Sequence, residues 1–284
     1  MPGVDAVRAD ARRRVPEAAR PGFVATLAKG LEVLAAFERV ELLGNQELVE
    51  ITGLPKATVS RLTGTLAALG YLRLDEGTRK YSIGARVLGL GASVQRHLGL
   101  QRVARPRMQA LAEEFGLSVI LATRERRSMV MIEVVRPPRV ARAAYTDGGS
   151  HVSLRDTSLG LAYLVAVPLA ERVRLLESLR RAHPNDWDAV RVDVERAHRE
   201  VARRGFVVSR RGRDGAVAGV SAPLALGERG VFVFGCAGPS TALSTAHLTN
   251  IVGPRLVRQV REVADHLTDG VMAAAPARKR RAAG

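Results

Sequence analysis

Apolar residues near the start of the chain recur at the spacing of a helix. Four of them stand at i, i+4, i+7 and i+10: Leu27, Leu31, Leu34 and Phe37. This spacing puts all four on one face of an α-helix. The pattern therefore predicts a helix from about residue 25, with that face buried.

Two more helices and a hairpin are predicted after this first helix. Asn45 can cap a short helix over residues 46–52. Pro55 suits the first position of a third helix, where its missing N–H costs nothing, and Gly70 ends that helix. Two short extended stretches then flank residues 76–77, which indicates a hairpin. Three helices followed by a hairpin predict a winged helix-turn-helix.

The third helix has two chemically different sides. Its apolar side, predicted to be buried, carries Val59, Leu62, Leu66 and Leu69. Its outward side is small or hydrogen-bonding and carries Ala57, Ser60, Arg61, Gly64 and Ala68, flanked by Lys56 and Thr58. Small residues allow close approach in the major groove, and long polar ones reach phosphates or base edges. Gly64 costs about 1 kcal/mol relative to alanine in a helix, which favours a close-contact role.

Beyond residue 98 the pattern changes to strands interspersed with helices. Candidate strands span 117–122, 128–135, 141–146, 206–209, 217–226 and 231–237. Candidate helices span 157–166, 169–181, 187–204 and 243–268. The fold class is therefore α+β. We predict a basic arm over 1–22, the winged helix over 23–83, a linker helix over 84–98, the α/β domain over 99–270 and a basic tail over 271–284.

Charge alone does not locate a nucleic-acid surface. The 284-residue chain has 44 basic and 28 acidic residues, a formal net charge of +16, and a basic protein attracts polyanions. The winged-helix region is nevertheless formally neutral, because seven basic residues (29, 39, 56, 61, 73, 79, 80) meet seven acidic ones (32, 38, 41, 47, 50, 75, 76). The bases cluster on the third helix and the wing. Arg79 and Lys80 are thus expected to contact phosphate or the minor groove.

Composition and the absence of known motifs exclude several classes of protein. The single cysteine, Cys236, excludes an internal disulfide framework and a multi-cysteine zinc site. No apolar run reaches the roughly 18 residues that span a membrane, and no signal peptide is recognisable, so we expect a cytoplasmic protein. Catalytic motifs are missing: there is no Gly-x-Ser-x-Gly, His-Glu-x-x-His or phosphate loop. The candidate catalytic residues are His151, Asp156, Ser158 and Cys236. They are more simply explained as exposed or buried structural residues, and we expect the protein to be no enzyme and to hold no cofactor or metal.

The ordered motifs resemble the IclR family of transcription regulators. Residues 53–62 (GLPKATVSRL) and 65–72 (TLAALGYL) look like its helix-turn-helix, and residues 81–84 (YSIG) and 88–91 (LGLG) like its wing end and linker helix. Residues 156–162, 204–208, 219–224 and 238–239 follow in the family's order, so the resemblance covers roughly 24–268. It implies a GAF-like effector-binding domain, a palindromic double-stranded DNA operator, a homodimer or dimer of dimers, and repression as the default.

The resemblance also implies a ligand site between the sheet and the helix that starts near Thr157. The residues that would line it are Thr157, Leu159, Gly160, Leu161, Ser209, Val217, Gly219, Gly235 and Ala237. The helix N-terminus suits a carboxylate, and typical family ligands are carboxylates and aromatic acids. Gly160 would either admit the ligand or allow helix–strand packing.

Several positions depart from the family pattern. Gly219 replaces a frequent cysteine, Gly235 and Ala237 replace serines, and residues 209–214 (SRRGRD) replace acidic or polar residues. Three explanations stay open: a bulkier apolar ligand, a charge contact from Arg210 or Arg211, or a degenerate sensor. In the last case the protein would be a nonspecific nucleic-acid-binding or architectural protein.

Overall fold

The computed structural model describes residues 22–38, 40–91, 100–137, 147–212 and 215–274. The chain divides into two compact units, with the division between His97 and Leu98. The predicted basic arm and tail lie, apart from their inner ends, outside the described residues.

In the described part of the first unit, three helices lead into a two-stranded hairpin, as the pattern predicts. The helices are α1 (Ala25–Ala35, followed by a 3-10 turn at Ala36–Glu38), α2 (Asn45–Thr52) and α3 (Lys56–Ala68). Strands β1 (Leu72–Asp75) and β2 (Lys80–Ile83) pair antiparallel, with Leu72 opposite Ile83. A further helix, α4, spans residues 86–91.

The buried face of α1 is rotated relative to our prediction. Val33 and Phe37 are buried, whereas Leu27 and Leu31 are 62% and 58% exposed. Gly30 lies on the side of α1 that meets α3, because a Cβ there would lie 3.8 Å from Leu62. Leu69 is also exposed rather than buried, since α3 ends at Ala68.

The start of α2 differs from the prediction as well. Gly44, not Asn45, occupies the cap position, and its N–H donates to the Glu47 carboxylate at 2.6 Å. A carboxylate at the third position of a helix satisfies a backbone N–H that the helix leaves without a partner. Asn45 is thereby released for a contact with α3.

The second unit is a six-stranded sheet with helices on both faces. Its strands are β3 (Ser118–Glu125), β4 (Ser128–Val135), β5 (His151–Ser153), β6 (Val207–Gly212), β7 (Val217–Ala225) and β8 (Val231–Pro239). The order is β5-β4-β3-β8-β7-β6, with every neighbouring pair antiparallel. The helices are α5 (Leu100–Phe115), α6 (Ser158–Ala166), α7 (Leu169–Ala182), α8 (Trp187–Arg204) and α9 (Gly253–Ala274).

Alternation along the strands divides the core into two. Leu121, Val220 and Phe234 face α5 and α9, whereas Ile120 and Val233 face α6, α7 and α8. The odd-numbered positions of β7 and β8 from 219 to 237 consequently face α6. This alternation places the predicted ligand-site residues on one side of the sheet.

Most predicted elements of this unit are confirmed, with three differences. The predicted strand 141–146 lies outside the described residues. His151 begins β5 rather than lying in a loop. The predicted helix 243–268 is interrupted by a π-helical turn at Leu248–Val252, after which α9 continues to Ala274. In the described part of the chain, no helix has the length and apolar character to cross a membrane.

Candidate functional sites

The outward face of α3 is exposed as predicted. Lys56, Ala57, Ser60, Arg61 and Gly64 are all exposed, and Thr58 is half-buried. The opposite side of the helix packs through Val59, which is fully buried. The helix therefore presents one surface of small, hydroxyl and cationic groups with no large apolar side chain from position 56 to 64.

Gly64 is not required for packing among the described residues of the first unit. A Cβ built on it would meet none of their atoms within 4 Å outside the backbone of α3 itself. Its backbone has no positive φ, so the conformation does not require glycine either. The fold alone thus leaves the glycine unexplained.

Arg79 and Lys80, the two cations predicted for the wing, differ in their contacts. Arg79 is exposed at the hairpin tip with φ +55°. Lys80 donates from Nζ to Glu47 Oε1 at 2.9 Å, and the two side chains are 39% and 40% exposed. The hydrogen bond from the Gly44 N–H, followed by the one from Lys80, lowers the pKa of Glu47 below its ordinary value of 4.5. Lys80 therefore ties the wing to α2 in the structure.

A polar contact that the sequence pattern did not predict lies behind the exposed face of α3. Thr63 is fully buried on the inner side of α3, and its hydroxyl lies 3.1 Å from Asn45 Oδ1 on α2. It also lies within hydrogen-bond distance of the Val59 carbonyl. This contact joins the two helices of the motif. Thr63 follows Val59 by one helical turn, and that spacing was the available signal.

The predicted ligand-site residues at the start of α6 lie together. Thr157 caps the helix: its hydroxyl accepts from Gly160 N–H at 3.1 Å and donates to the Ser153 carbonyl at 2.7 Å. A Cβ on Gly160 would overlap the backbone carbonyl of Leu154. Of the two explanations for Gly160, the structure supports packing, here against the loop before the helix. Leu161 is fully buried in the core.

The strands opposite α6 bring the remaining candidates near the helix. A Cβ on Gly219 would lie 3.0 Å from Ser158 Oγ, and one on Gly235 would lie 2.9 Å from both Leu159 Cδ2 and Ser221 Oγ. Ser209 donates to the carbonyl of Asp156 at 3.1 Å. The half-buried Ala237 and Val217 continue this wall on β8 and β7. The glycines thus let α6 approach the sheet closely.

A buried hydroxyl pair lies at the centre of this contact. Ser221 donates to Ser158 Oγ at 2.9 Å, and both residues are buried. Ser221 follows Gly219 by two positions on β7 and therefore faces α6 as well. These two serines were not among the predicted site residues, although the two-residue spacing from Gly219 could have indicated Ser221.

An open depression lies beside this site. It measures about 370 Å³ and has a mostly charged lining: Arg155, Asp156, Asp186, Ala189, Val190, Asp193, Arg210 and Gly215. Arg155 pairs with Asp186, which lowers the pKa of that carboxyl. Arg210 donates to the carbonyls of Leu243 and Ser240. The Arg210 guanidinium is therefore held by backbone acceptors, while the side chain of Arg211 lies outside the described residues.

Comparison with known proteins identifies the family. Residues 26–76 match the model of the IclR helix-turn-helix domain, and residues 92–267 match that of the bacterial transcriptional regulator IclR C-terminal domain. The HTH-type transcriptional regulator TsaQ1/TsaQ2 of Comamonas testosteroni is 49% identical over 244 residues, which cover 85% of this chain and 88% of that protein. The chain belongs to the IclR family.

Solved structures of IclR proteins agree with this. An IclR family transcriptional regulator from Brucella abortus is 38% identical, with a TM-score of 0.74 over 90% of this chain and 97% of that one. An IclR homolog from Microbacterium hydrocarbonoxydans, complexed with 4-hydroxybenzoate, shares the fold at 21% identity and a TM-score of 0.67 over 88% of this chain and 100% of that one. The protein is thus a transcriptional regulator with a DNA-binding helix-turn-helix and a ligand-binding C-terminal domain.

Cys236 and His151, two of the candidate catalytic residues, have structural contacts in this protein. Burial raises the pKa of the Cys236 thiol to about 12, so the thiolate nucleophile does not form near neutral pH. His151 Nε2 lies 2.6 Å from a carboxylate oxygen of Glu125 at the edge of the sheet. IclR proteins are regulators rather than enzymes, and these two residues have structural contacts.

Proposed function

We propose that the protein binds a palindromic operator as a homodimer or dimer of dimers, and that a small organic ligand in the second unit controls this binding. Repression is the expected direction, and the cytoplasm the expected location. The observation that carries the proposal is the exposed face of α3, where Gly64 is required by neither packing nor backbone conformation. A surface of this kind fits the major groove of DNA.

We assign the DNA contacts by reach and chemistry. Ser60 and Arg61 lie at the middle of the exposed face and would read base edges, with Lys56 and Thr58 near phosphates. Ala57 and Gly64 would permit close approach. Arg79 would contact the backbone or minor groove from the wing, and Lys80 would do so only after leaving Glu47. The division into a DNA-binding unit over 23–83, a linker helix over 84–98 and an effector unit over 99–270 is part of the proposal.

Selection from a random duplex library tests the DNA half of the proposal. The full chain should enrich one palindromic sequence, and its affinity for that sequence should exceed that for a scrambled duplex by about 10³-fold or more at fixed salt. Enrichment of no sequence, together with equal affinity for both duplexes, would instead favour a nonspecific nucleic-acid-binding protein with a degenerate sensor.

We propose that the ligand is a carboxylate or an aromatic compound and that it binds between α6 and the sheet. The family relationship and the buried Ser158–Ser221 pair support this, since hydroxyls can orient a polar ligand. The residues proposed to line the site are Thr157, Leu159, Gly160, Leu161, Ser209, Val217, Gly219, Gly235 and Ala237. Because Leu159 and Ser221 fill the space above Gly235, entry requires α6 or these side chains to move.

A thermal-shift panel of small carboxylates and aromatic acids, beginning with 4-hydroxybenzoate, tests the ligand half. A compound present at 100 times its Kd stabilises the folded state by about 2.7 kcal/mol. Its effect should shrink in Ser221→Ala and persist in Arg155→Ala, which removes a charged side chain from the neighbouring depression. The reverse ranking would place the ligand in the depression, and no shift with any compound would favour the degenerate sensor.

A further inference from the structure

The end of the recognition helix α3 is fastened to the start of α4. Gly70, with φ +77°, ends the helix by donating its N–H to the Ala67 carbonyl at 2.9 Å. The Tyr71 N–H donates to the Leu66 carbonyl at 2.8 Å. Gly70 and Tyr71 then receive contacts from the segment that follows the wing.

Gly84 provides the first of these contacts. Its N–H donates to the Tyr71 carbonyl at 2.8 Å, and a Cβ on Gly84 would overlap the Gly70 carbonyl oxygen. The chain that leaves β2 is therefore pressed against the backbone at the end of α3. This backbone packing fixes the position of Gly84 against the end of α3. A single contact of this kind does not by itself fix the direction of the helix that follows.

Arg86, the first residue of α4, supplies a second contact with the end of α3. Its NH1 donates to the Leu69 carbonyl at 3.0 Å, and its guanidinium lies 5.3 Å from the centre of the Tyr71 ring. Leu69 O is one of the carbonyls that a helix end leaves without an internal partner, and a cation there is favourable. A planar guanidinium that both donates and stacks is constrained in orientation as well as position.

We propose that Arg86 is a positioning residue: it fixes the direction in which α4 leaves the recognition helix, and it thereby sets the half-site spacing that the dimer accepts. This inference rests on the proposed binding of a palindrome by a dimer. Arg86 acts through α3 and α4 and needs no contact with DNA.

Spacing is sensitive to this direction for a geometric reason. Half-sites lie about one helical turn of 10–10.5 bp apart, or a multiple of it, so one added base pair rotates a half-site by about 35° and shifts it by about 3.4 Å. A dimer whose connecting helices leave at a fixed angle cannot follow that rotation. A dimer with a loose connection can follow it in part.

The test measures the affinity of the full chain for the selected operator and for versions with the centre lengthened or shortened by one base pair. Wild-type protein should lose about 10-fold or more in affinity for the altered spacings, whereas Arg86→Ala should lose no more than about 3-fold. Arg86→Lys should resemble Arg86→Ala, because an ammonium keeps the charge but not the planar stacking. Lys29→Ala, which removes an exposed cation from α1, should keep the wild-type preference.

Three results would overturn the inference. In the first, Arg86→Ala and the wild-type protein show the same dependence of affinity on half-site spacing, whether that dependence is strong or absent. In the second, Arg86→Ala weakens all spacings equally, lowers the salt dependence by about one ion and is rescued by lysine, which marks a phosphate contact. In the third, wild-type protein lacks any operator preference, which overturns the proposed function as well. Arg86 is exposed, so both variants should fold, and thermal unfolding verifies this.

Discussion

At the scale of single residues, Gly64 separates the requirements of the fold from those of DNA binding. Glycine is a poor helix former, and none of the described residues of the first unit requires it at this position. An added methyl group would have room in the free protein. It would protrude from the face that we propose to enter the major groove.

Gly64→Ala should therefore have effects of opposite sign on stability and on binding. We expect it to stabilise the first unit by up to about 1 kcal/mol, because alanine favours the helix, and to weaken operator binding about 10-fold, because the methyl group blocks close approach. Calorimetry and an operator titration measure the two effects. Gly30→Ala is the matched control, since its Cβ would make an ordinary 3.8 Å contact inside the unit. Equal operator affinity in both variants would contradict the role of Gly64.

The exposed residues of α3 were predictable, whereas the buried polar ones were not. Helical spacing separates Ala57, Ser60 and Arg61 from Val59 without any knowledge of the partner helices. Thr63 was missed because a threonine is compatible with either side of a helix, and only the position of Asn45 gives its hydroxyl a partner. Ser158 and Ser221 were missed for the same reason, because their contact joins segments that are 63 residues apart.

At the scale of elements, the wing and α2 are joined by one ion pair. Glu47 receives a hydrogen bond from Gly44 N–H and from Lys80 Nζ, and both lower its pKa. A carboxyl whose pKa is lower in the folded state stabilises that state above its unfolded pKa. The stabilisation is lost as the pH falls through the folded pKa, which lies below 4.5.

Glu47→Gln should consequently destabilise the first unit at pH 7 but not in acid. Because the pair is well exposed, we expect a difference of only about 0.5–1 kcal/mol at pH 7. The difference should shrink as the pH falls below 4.5 and through the folded pKa of Glu47, because the wild-type carboxyl then becomes protonated as well. Calorimetry of wild type and variant at pH 7 and at several pH values below 4.5 measures this. A pH-independent difference would mean that the charge of Glu47 contributes nothing.

The close contact between α6 and the preceding loop predicts that the stability of the second unit is sensitive to substitution of Gly160. Gly160→Ala should destabilise the second unit by roughly 1–3 kcal/mol, because its Cβ would overlap the Leu154 carbonyl. Gly64→Ala, with open space around it, should not. If Gly160→Ala leaves the unfolding temperature unchanged, the packing explanation for this glycine is wrong.

Element type was more predictable than element orientation. Strand alternation and helical spacing identified most of the described helices and strands within a few residues, but not β5. They did not reveal that α1 packs through its Gly30 side, because this depends on the shape of Leu62 opposite it. Nor did they reveal the π-helical turn before α9, whose exit at Gly253 lies against the Phe206 ring. Both features arise from packing between segments that are distant in sequence.

At the scale of the whole molecule, a net charge of +16 is a poor guide to the DNA-binding surface. The winged-helix region is formally neutral, and one of its cations, Lys80, already pairs with Glu47. The sequence-specific contacts must therefore use few charges. Three cations remain on the proposed surface of each protomer: Lys56, Arg61 and Arg79.

This count predicts the salt dependence of operator binding. Because Arg61 is proposed to read a base edge, Lys56 and Arg79 of each protomer are left to contact phosphates. A dimer that neutralises four phosphates should give a slope of about −4 when the logarithm of affinity is plotted against the logarithm of salt concentration. Titrations between 50 and about 200 mM salt measure it. A slope near −10 would show that other cations of the chain bind the backbone and that the surface proposed here is too small.

We propose that the exposed face of α3 reads the operator sequence, and substitution of Arg61 is the sharpest test of this proposal. We expect Arg61→Ala to lose about 1–3 kcal/mol of operator affinity and to relax the preference at one position of each half-site. Binding to a scrambled duplex should change much less, and Arg199→Ala, which removes an exposed arginine from α8, should behave as wild type. Undiminished affinity and sequence preference in Arg61→Ala would contradict the account.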